Sequence, residues 1–170
     1  MNDDSERPGS VDPSITVQHL LSPTRDEVEG LTVIFDDYRA HYGQTPSASE
    51  TGQWLEANFE NGRLDAFVAT SSDVPVGFAL TTIIPASLRL RHFWQIRDLF
   101  VARSHRQRGV AGLLLNAVHD AAIRSGALRV SLQTESDNAA ALRLYARHGY
   151  ATVEGYLSLT LSLEPDSPET

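Results

Sequence analysis

Apolar residues recur along this chain in two rhythms, and the switch between them marks the elements. Ile15-Thr16-Val17-Gln18-His19-Leu20-Leu21 alternates as a strand does. Ser22-Pro23-Thr24-Arg25-Asp26-Glu27 is a helix start, with Pro and acids in the first turn. Leu31, Ile34, Phe35, Tyr38 and Tyr42 then follow at helical spacing up to Gly43. A second helix is predicted from Ser47 to Phe59. Leu64 to Thr70 and Val74 to Ile84 read as a hairpin turning at Ser71-Ser72-Asp73, with Gly77 marking a bulge. Pro85 to Leu90 reads as a loop and Phe93 to Val101 as a buried strand. Residues 109–126 carry Val110, Leu114, Ala117, Val118 and Ala121 on one helical face. Leu128 to Thr134 is a strand. Asp137 or Asn138 caps a helix that runs to His148 and stops at Gly149. Ala151 to Val153 and Tyr156 to Leu163 are predicted as closing strands. Residues 1–14 and 164–170 read as tails, the first one disordered, around a domain spanning 15–163. The order β, α, α, β, β, β, α, β, α, β, β describes a mixed α/β domain around one sheet.

Composition narrows the chemistry. The 170 residues hold no Cys, so a disulfide, a thiolate zinc site and a Cys nucleophile are excluded. The six His show no H-x-x-x-H pair, so no metal site is expected, and no G-x-S-x-G elbow suggests a hydrolase. No apolar run reaches the ~20 residues of a membrane span, and the acidic first residues are unlike a signal peptide, so a cytoplasmic protein is expected. The net charge of -8 argues against a general nucleic-acid or membrane-surface binder.

Charge is unevenly placed. Residues 1–75 hold 14 acids against 4 Arg, and residues 76–150 hold 4 acids against 10 Arg. Every basic residue is Arg. Arg89, Arg91, Arg97, Arg103, Arg106 and Arg108 fall within 20 residues whose only acid is Asp98. A basic island in an acidic chain fits a small anionic ligand; it also fits a solvated strand and loop.

That island contains Asp98-Leu99-Phe100-Val101-Ala102-Arg103-Ser104-His105-Arg106-Gln107-Arg108-Gly109-Val110-Ala111-Gly112, a strand running through a basic loop into a helix. A helix N-terminus leaves about four amides unpaired and carries partial positive charge. Small residues there let a phosphate approach those amides. Neither the Lys-containing P-loop nor G-x-G-x-x-G is present. The same small residues also suit a tightly packed strand–helix junction.

Arg106-Gln107-Arg108-Gly109-Val110-Ala111 resembles the [QR]-x-x-G-x-[GA] signature of the GNAT superfamily of acyl-CoA-dependent N-acyltransferases. Asn138-Ala139-Ala140-Ala141-Leu142-Arg143-Leu144-Tyr145-Ala146-Arg147-His148-Gly149-Tyr150 resembles its N-x-x-A-x-x-x-Y-x-x-x-G-[FY] helix. Together they cover the core of a likeness that spans about 15–163. Tyr38 to Gln44 and Asp98 to Val101 are more loosely similar to the histone/polyamine-type branch. The resemblance implies a mostly antiparallel mixed sheet with a splayed parallel pair, 93–101 and 128–134, flanked by about four helices. It implies acetyl-CoA as co-substrate and no metal. The backbone of Leu99 and Val101 would hold the pantetheine arm and polarise the thioester carbonyl. Arg106, Gln107, Arg108, Gly109, Val110, Ala111 and Gly112 would hold the pyrophosphate, and Asn138 would touch the CoA arm. Tyr145 would protonate the leaving thiolate after direct attack by a small-molecule amine; it also fits as an aromatic packing helix to sheet. A peptide acceptor, or a non-catalytic acyl-CoA-binding module, are the alternatives. A homodimer paired through 156–163 is expected, since an alternating uncharged edge invites pairing.

Some relatives carry an acid at the position of Arg97, which stays charged and cannot accept a proton. Alternation puts Arg97 on the face of Leu99 and Val101 and sets Asp98 on the other. Glu135, His92 and His41 therefore remain as bases. Arg97 would favour acceptors bearing a carboxylate, or it pairs with Asp36 or Asp37. Tyr38 and Tyr42, four apart, either line the acceptor site or pack the core.

Overall fold

The computed structural model describes residues 12–163. Asp12 to Ser14 form a turn closed by the Ile15 amide on the Asp12 carbonyl at 3.1 Å, and the rest of the expected tails lies outside the described residues. Five strands order as β1 (Ile15–Leu20), β2 (Asp65–Ser71), β3 (Val74–Ala86), β4 (Arg91–Val101) and β5 (Val130–Ser131). The first four are antiparallel neighbours, and β4 and β5 run parallel. Helices α1 (Arg25–His41) and α2 (Ala48–Glu60) cover one face; α3 (Val110–Arg124) covers the other. A fourth helix, α4 (Ala139–Arg147), follows β5.

Local chemistry accounts for the helix starts. Thr24 caps α1 in a capping box: its hydroxyl accepts from the Glu27 amide, and the Glu27 carboxylate accepts from the Thr24 amide at 2.7 Å. Asn138 caps α4 by accepting from the Ala141 amide at 3.1 Å. Val28, Leu31, Ile34 and Phe35 bury the inner stripe of α1 against Phe78, Leu80 and Phe100. On the opposite face Leu114, Leu115 and Val118 pack on Phe67, Ala79 and Trp94. Gly77 lets α3 sit there. A Cβ at Gly77 would lie 3.0 Å from the Phe100 carbonyl oxygen and 3.2 Å from Val110 Cγ1. The bulge expected at this glycine falls beside it: Ala69 faces Gly77 and Thr70 faces Pro75, leaving Val76 as the extra residue.

A second bulge corrects the reading of β4. Leu80 faces Asp98 and Thr81 faces Ile96, so Arg97 is an extra residue without a partner on β3. The parity of the strand changes there. Trp94 and Ile96 face α3, as do Leu99 and Val101, whereas Asp98 and Phe100 face α1. Arg97 belongs to neither alternation.

Two further expectations change. The strand 128–134 shrinks to two residues, because β4 and β5 pair only at Trp94–Val130 and Gln95–Ser131 and then diverge. Residues 151–163 form neither closing strand. Leu157, Leu159, Leu161 and Leu163 are 82–90% exposed. Alternation supplies a face, but a strand also needs a neighbour to take its backbone hydrogen bonds.

Candidate active site

The divergence of β4 and β5 opens a cleft of about 210 Å³. β4 runs on from Ile96 to Val101 with no β5 partner, so that edge of its backbone faces the gap. Arg97, Asp98 and Leu99 form one wall, and Gln133, Thr134 and Glu135 from the segment after β5 form another. Tyr38 of α1 and Tyr42 at its C-terminal cap also line the cleft, as do Asn138 at the cap of α4 and Tyr145 within it. The cleft thus joins residues more than 100 positions apart in sequence.

Tyr145 is half-buried, and burial pushes its phenol up from the ordinary value, with Tyr42 and Glu135 adding to the shift. It therefore holds its proton throughout the neutral range. Tyr38 donates its hydroxyl proton to Asp98 Oδ1 at 2.5 Å. Burial raises its phenol strongly, and the Asp98 contact raises it further. Tyr38 also packs edge-on against Phe78, Phe100 and Tyr42, so it is both core and cleft wall. Tyr42, at the end of α1, is more than half exposed.

Arg97 is exposed at the cleft and has no ion pair among the described residues. Of the two acids expected to neutralise it, Asp36 accepts from Arg39 at 3.2 Å and from the Thr51 hydroxyl at 2.5 Å, and Asp37 forms no ion pair with Arg97. Glu135 lines the cleft, where its own amide, Asn138 and Thr134 lower its carboxyl below the usual range. His41 and His92 stand outside the cleft; His41 packs on Tyr42, and His92 meets the Ser125 hydroxyl at 3.1 Å. Asp98 is the residue that the alternation argument set aside. The signal that finds it is the pairing with Tyr38, which is not local in sequence.

The basic loop leads into α3 beside this edge. Gln107 and Gly109 have positive φ (62° and 79°), and Gly109 caps the helix. The first donor into the helix is the Leu113 amide, to the Gly109 carbonyl at 3.1 Å. The amides of Val110, Ala111 and Gly112 precede it and have no intrahelical acceptor. Such a run of free amides at a helix start, flanked by Arg106 and Arg108, has the donor set for a phosphate. Arg106 folds back, with Nε donating to the Val101 carbonyl at 3.0 Å and the guanidinium 5.6 Å over Phe100. It therefore ties the loop to β4, and it occupies the carbonyl of Val101. Gly112 is close to α4, since a Cβ there would lie 3.3 Å from His148 Nε2. Asn138 Oδ1 is committed to the cap of α4.

Residues 30–150 match the model of the acetyltransferase (GNAT) family. An uncharacterized N-acetyltransferase, YhfO of Bacillus subtilis (strain 168), is 28% identical over 137 residues, covering 81% of this chain and 92% of that protein. A probable acetyltransferase of solved structure superposes with a TM-score of 0.80 at 23% identity, over 89% of this chain and 99% of that one. An aminoglycoside acetyltransferase from an uncultured soil metagenomic sample, in complex with trehalose, gives 0.73 at 16% identity, over 90% and 99%. These last two identities speak for the fold alone. The match over 30–150 takes in both the amide-rich loop and the whole cleft, and on that ground the chain belongs to the GNAT family and is an acetyltransferase.

Proposed function

We propose that the protein transfers the acetyl group of acetyl-CoA to a primary amine on a small molecule that also carries an anionic group, by direct attack of the amine. The observation that carries this reading is the cleft at the β4–β5 divergence, which is lined by Tyr145 together with Arg97, Asp98 and Tyr38. A volume of about 210 Å³ suits a small acceptor better than an extended peptide. The looser likeness to the histone/polyamine branch does not extend to polycations here, because Arg97 stands where an acid would attract them.

The residues divide the work as follows. The amides of Gln107 to Gly112, with Arg108, hold the pyrophosphate, and Arg106, expected to join them, instead braces the loop on β4. The edge of β4 at Leu99 and at the Val101 amide aligns the pantetheine arm and polarises the thioester carbonyl, the Val101 carbonyl being held by Arg106, and Asn138 borders the arm. With no Cys in the chain, a thioester-linked acyl-enzyme has no anchor, which supports direct attack. Tyr145 supplies a proton to the leaving thiolate. A small acidic chain of this kind suits a cytoplasmic enzyme.

Arg97 tests the acceptor class. Arg97→Glu is expected to raise kcat/KM for spermidine relative to a carboxylate-bearing amine. Exposure of Arg97 sets the scale at ~1 kcal/mol, about fivefold. A tenfold change is expected if the bound substrates exclude water from the cleft. An unmoved ratio assigns Arg97 a purely structural part.

The enzyme is further proposed to be a homodimer joined through residues 156–163. Four exposed leucines at alternate positions of this uncharged segment support the pairing, and so does a groove of about 340 Å³ beside Ile123, Leu128 and Val130 that no described residue fills. Light scattering at micromolar concentration is expected to give twice 18.7 kDa; a mass of one chain rejects the pairing.

A further inference from the structure

Resting on the acetyl-transfer reading, we infer that Asp98, held by Tyr38, is the group that receives the acceptor's ammonium and takes its proton. The geometry is specific. Asp98 lines the cleft from the α1 side of β4, and Tyr38 fixes one of its carboxylate oxygens at 2.5 Å. No other partner of Asp98 is present among the described residues, so its second oxygen is available to a ligand. Tyr38 is itself immobilised by three aromatic rings, so it orients the carboxylate as a positioning residue. The charged and titratable groups facing Asp98 are Tyr38 and Tyr42 from α1, Arg97 from β4, Glu135 after β5 and Tyr145 from α4. Of these, the two phenols at Tyr38 and Tyr145 are held protonated, Arg97 cannot accept a proton, and Glu135 is engaged by Asn138 and Thr134.

The step balances. One ammonium proton passes to Asp98, which holds it while the C–N bond forms and releases it to solvent afterwards. The freed nitrogen lone pair forms a C–N bond to the acetyl carbonyl, and the C–S bond breaks. The thiolate takes the phenol proton of Tyr145, and the second nitrogen proton, released as the amide forms, restores the phenol. The net products are the amide, free thiol and one proton.

The test uses the fastest acceptor in a panel of carboxylate-bearing primary amines from glycine to 6-aminohexanoate, and reads kcat/KM against pH. Carboxylates as a class are ionised, and alkyl ammonium groups protonated, over about pH 6–9. An enzyme that binds the ammonium on a carboxylate therefore shows a flat profile there. Asp98→Asn keeps an oxygen for Tyr38 but must wait for the rare neutral amine. Its kcat/KM is expected to fall about 100-fold at pH 7 and to recover tenfold per pH unit. Tyr38→Phe is expected to lose about five- to tenfold and keep the flat profile. Calorimetric affinity for acetyl-CoA reports that each variant is folded.

A uniform loss in Asp98→Asn with the profile still flat overturns the assignment. So does a tenfold-per-unit slope that appears in Glu135→Gln instead. Failure of the unaltered protein on every amine of the panel overturns the acetyl-transfer reading itself, and is visible before any variant is made.

Discussion

Tyr145→Phe is expected to lower kcat by about 10²–10⁴ while leaving acetyl-CoA affinity within a fewfold. The substitution keeps the ring that packs against Tyr150 at 5.7 Å and removes only the hydroxyl, so folding should be little changed. The pH dependence has a definite sign. Because burial raises the phenol above its usual value of about 10, the acid form persists through the neutral range, and kcat should fall on the alkaline side only above that value. Steady-state kinetics with thiol detection measures both. An unchanged kcat would mean that water or another group protonates the thiolate.

Gly109→Glu is expected to abolish measurable acetyl-CoA binding. Two effects act together. Gly109 sits at φ 79°, where a side chain costs ~1–2 kcal/mol. The new carboxylate would also stand at the amides of Val110 to Gly112 and repel a pyrophosphate. Gly109→Ala separates the two, since it carries the strain without the charge, and should weaken binding far less. Calorimetry on both variants, with melting temperature as the check on folding, decides it. Affinity of Gly109→Glu within threefold of the parent would remove this loop from the binding site.

Features written in neighbouring residues were legible in the sequence. The helix start at Ser22 to Glu27, the cap of α4 at Asp137 or Asn138 and the glycine-led start of α3 each announce themselves within a few positions. The helical stripes of α1 and α3 did so as well. What could not be read was whatever depends on a partner strand. Alternation along β4 cannot reveal an extra residue, because the bulge at Arg97 exists only in the register against β3. It moves Arg97 out of both faces and is the reason a period-two argument misplaced it. Residues 156–163 alternate perfectly, yet without a neighbouring strand they stay irregular. β5 is shorter than the apolar run 128–134 for the same reason, since its length is set by where β4 stops pairing with it. The Tyr38–Asp98 pair spans 60 positions, and only the α1 crossing brings it to the cleft. Asp98 does lie on the face opposite Leu99 and Val101, as alternation required, but α1 turns that face into a wall of the site.

Acetyl transfer to an amine within the β4–β5 cleft is the central proposal for this protein. The most direct test incubates the purified protein with acetyl-CoA and a panel of amino acids, polyamines and short peptides, and follows thiol release together with the mass of the products. The expected result is stoichiometric thiol and an acetylated small amine bearing a carboxylate, with polyamines and peptides slower. Tight acetyl-CoA binding with no acetylated product from any amine would contradict it, and would make the chain an acyl-CoA-binding module with an idle Tyr145.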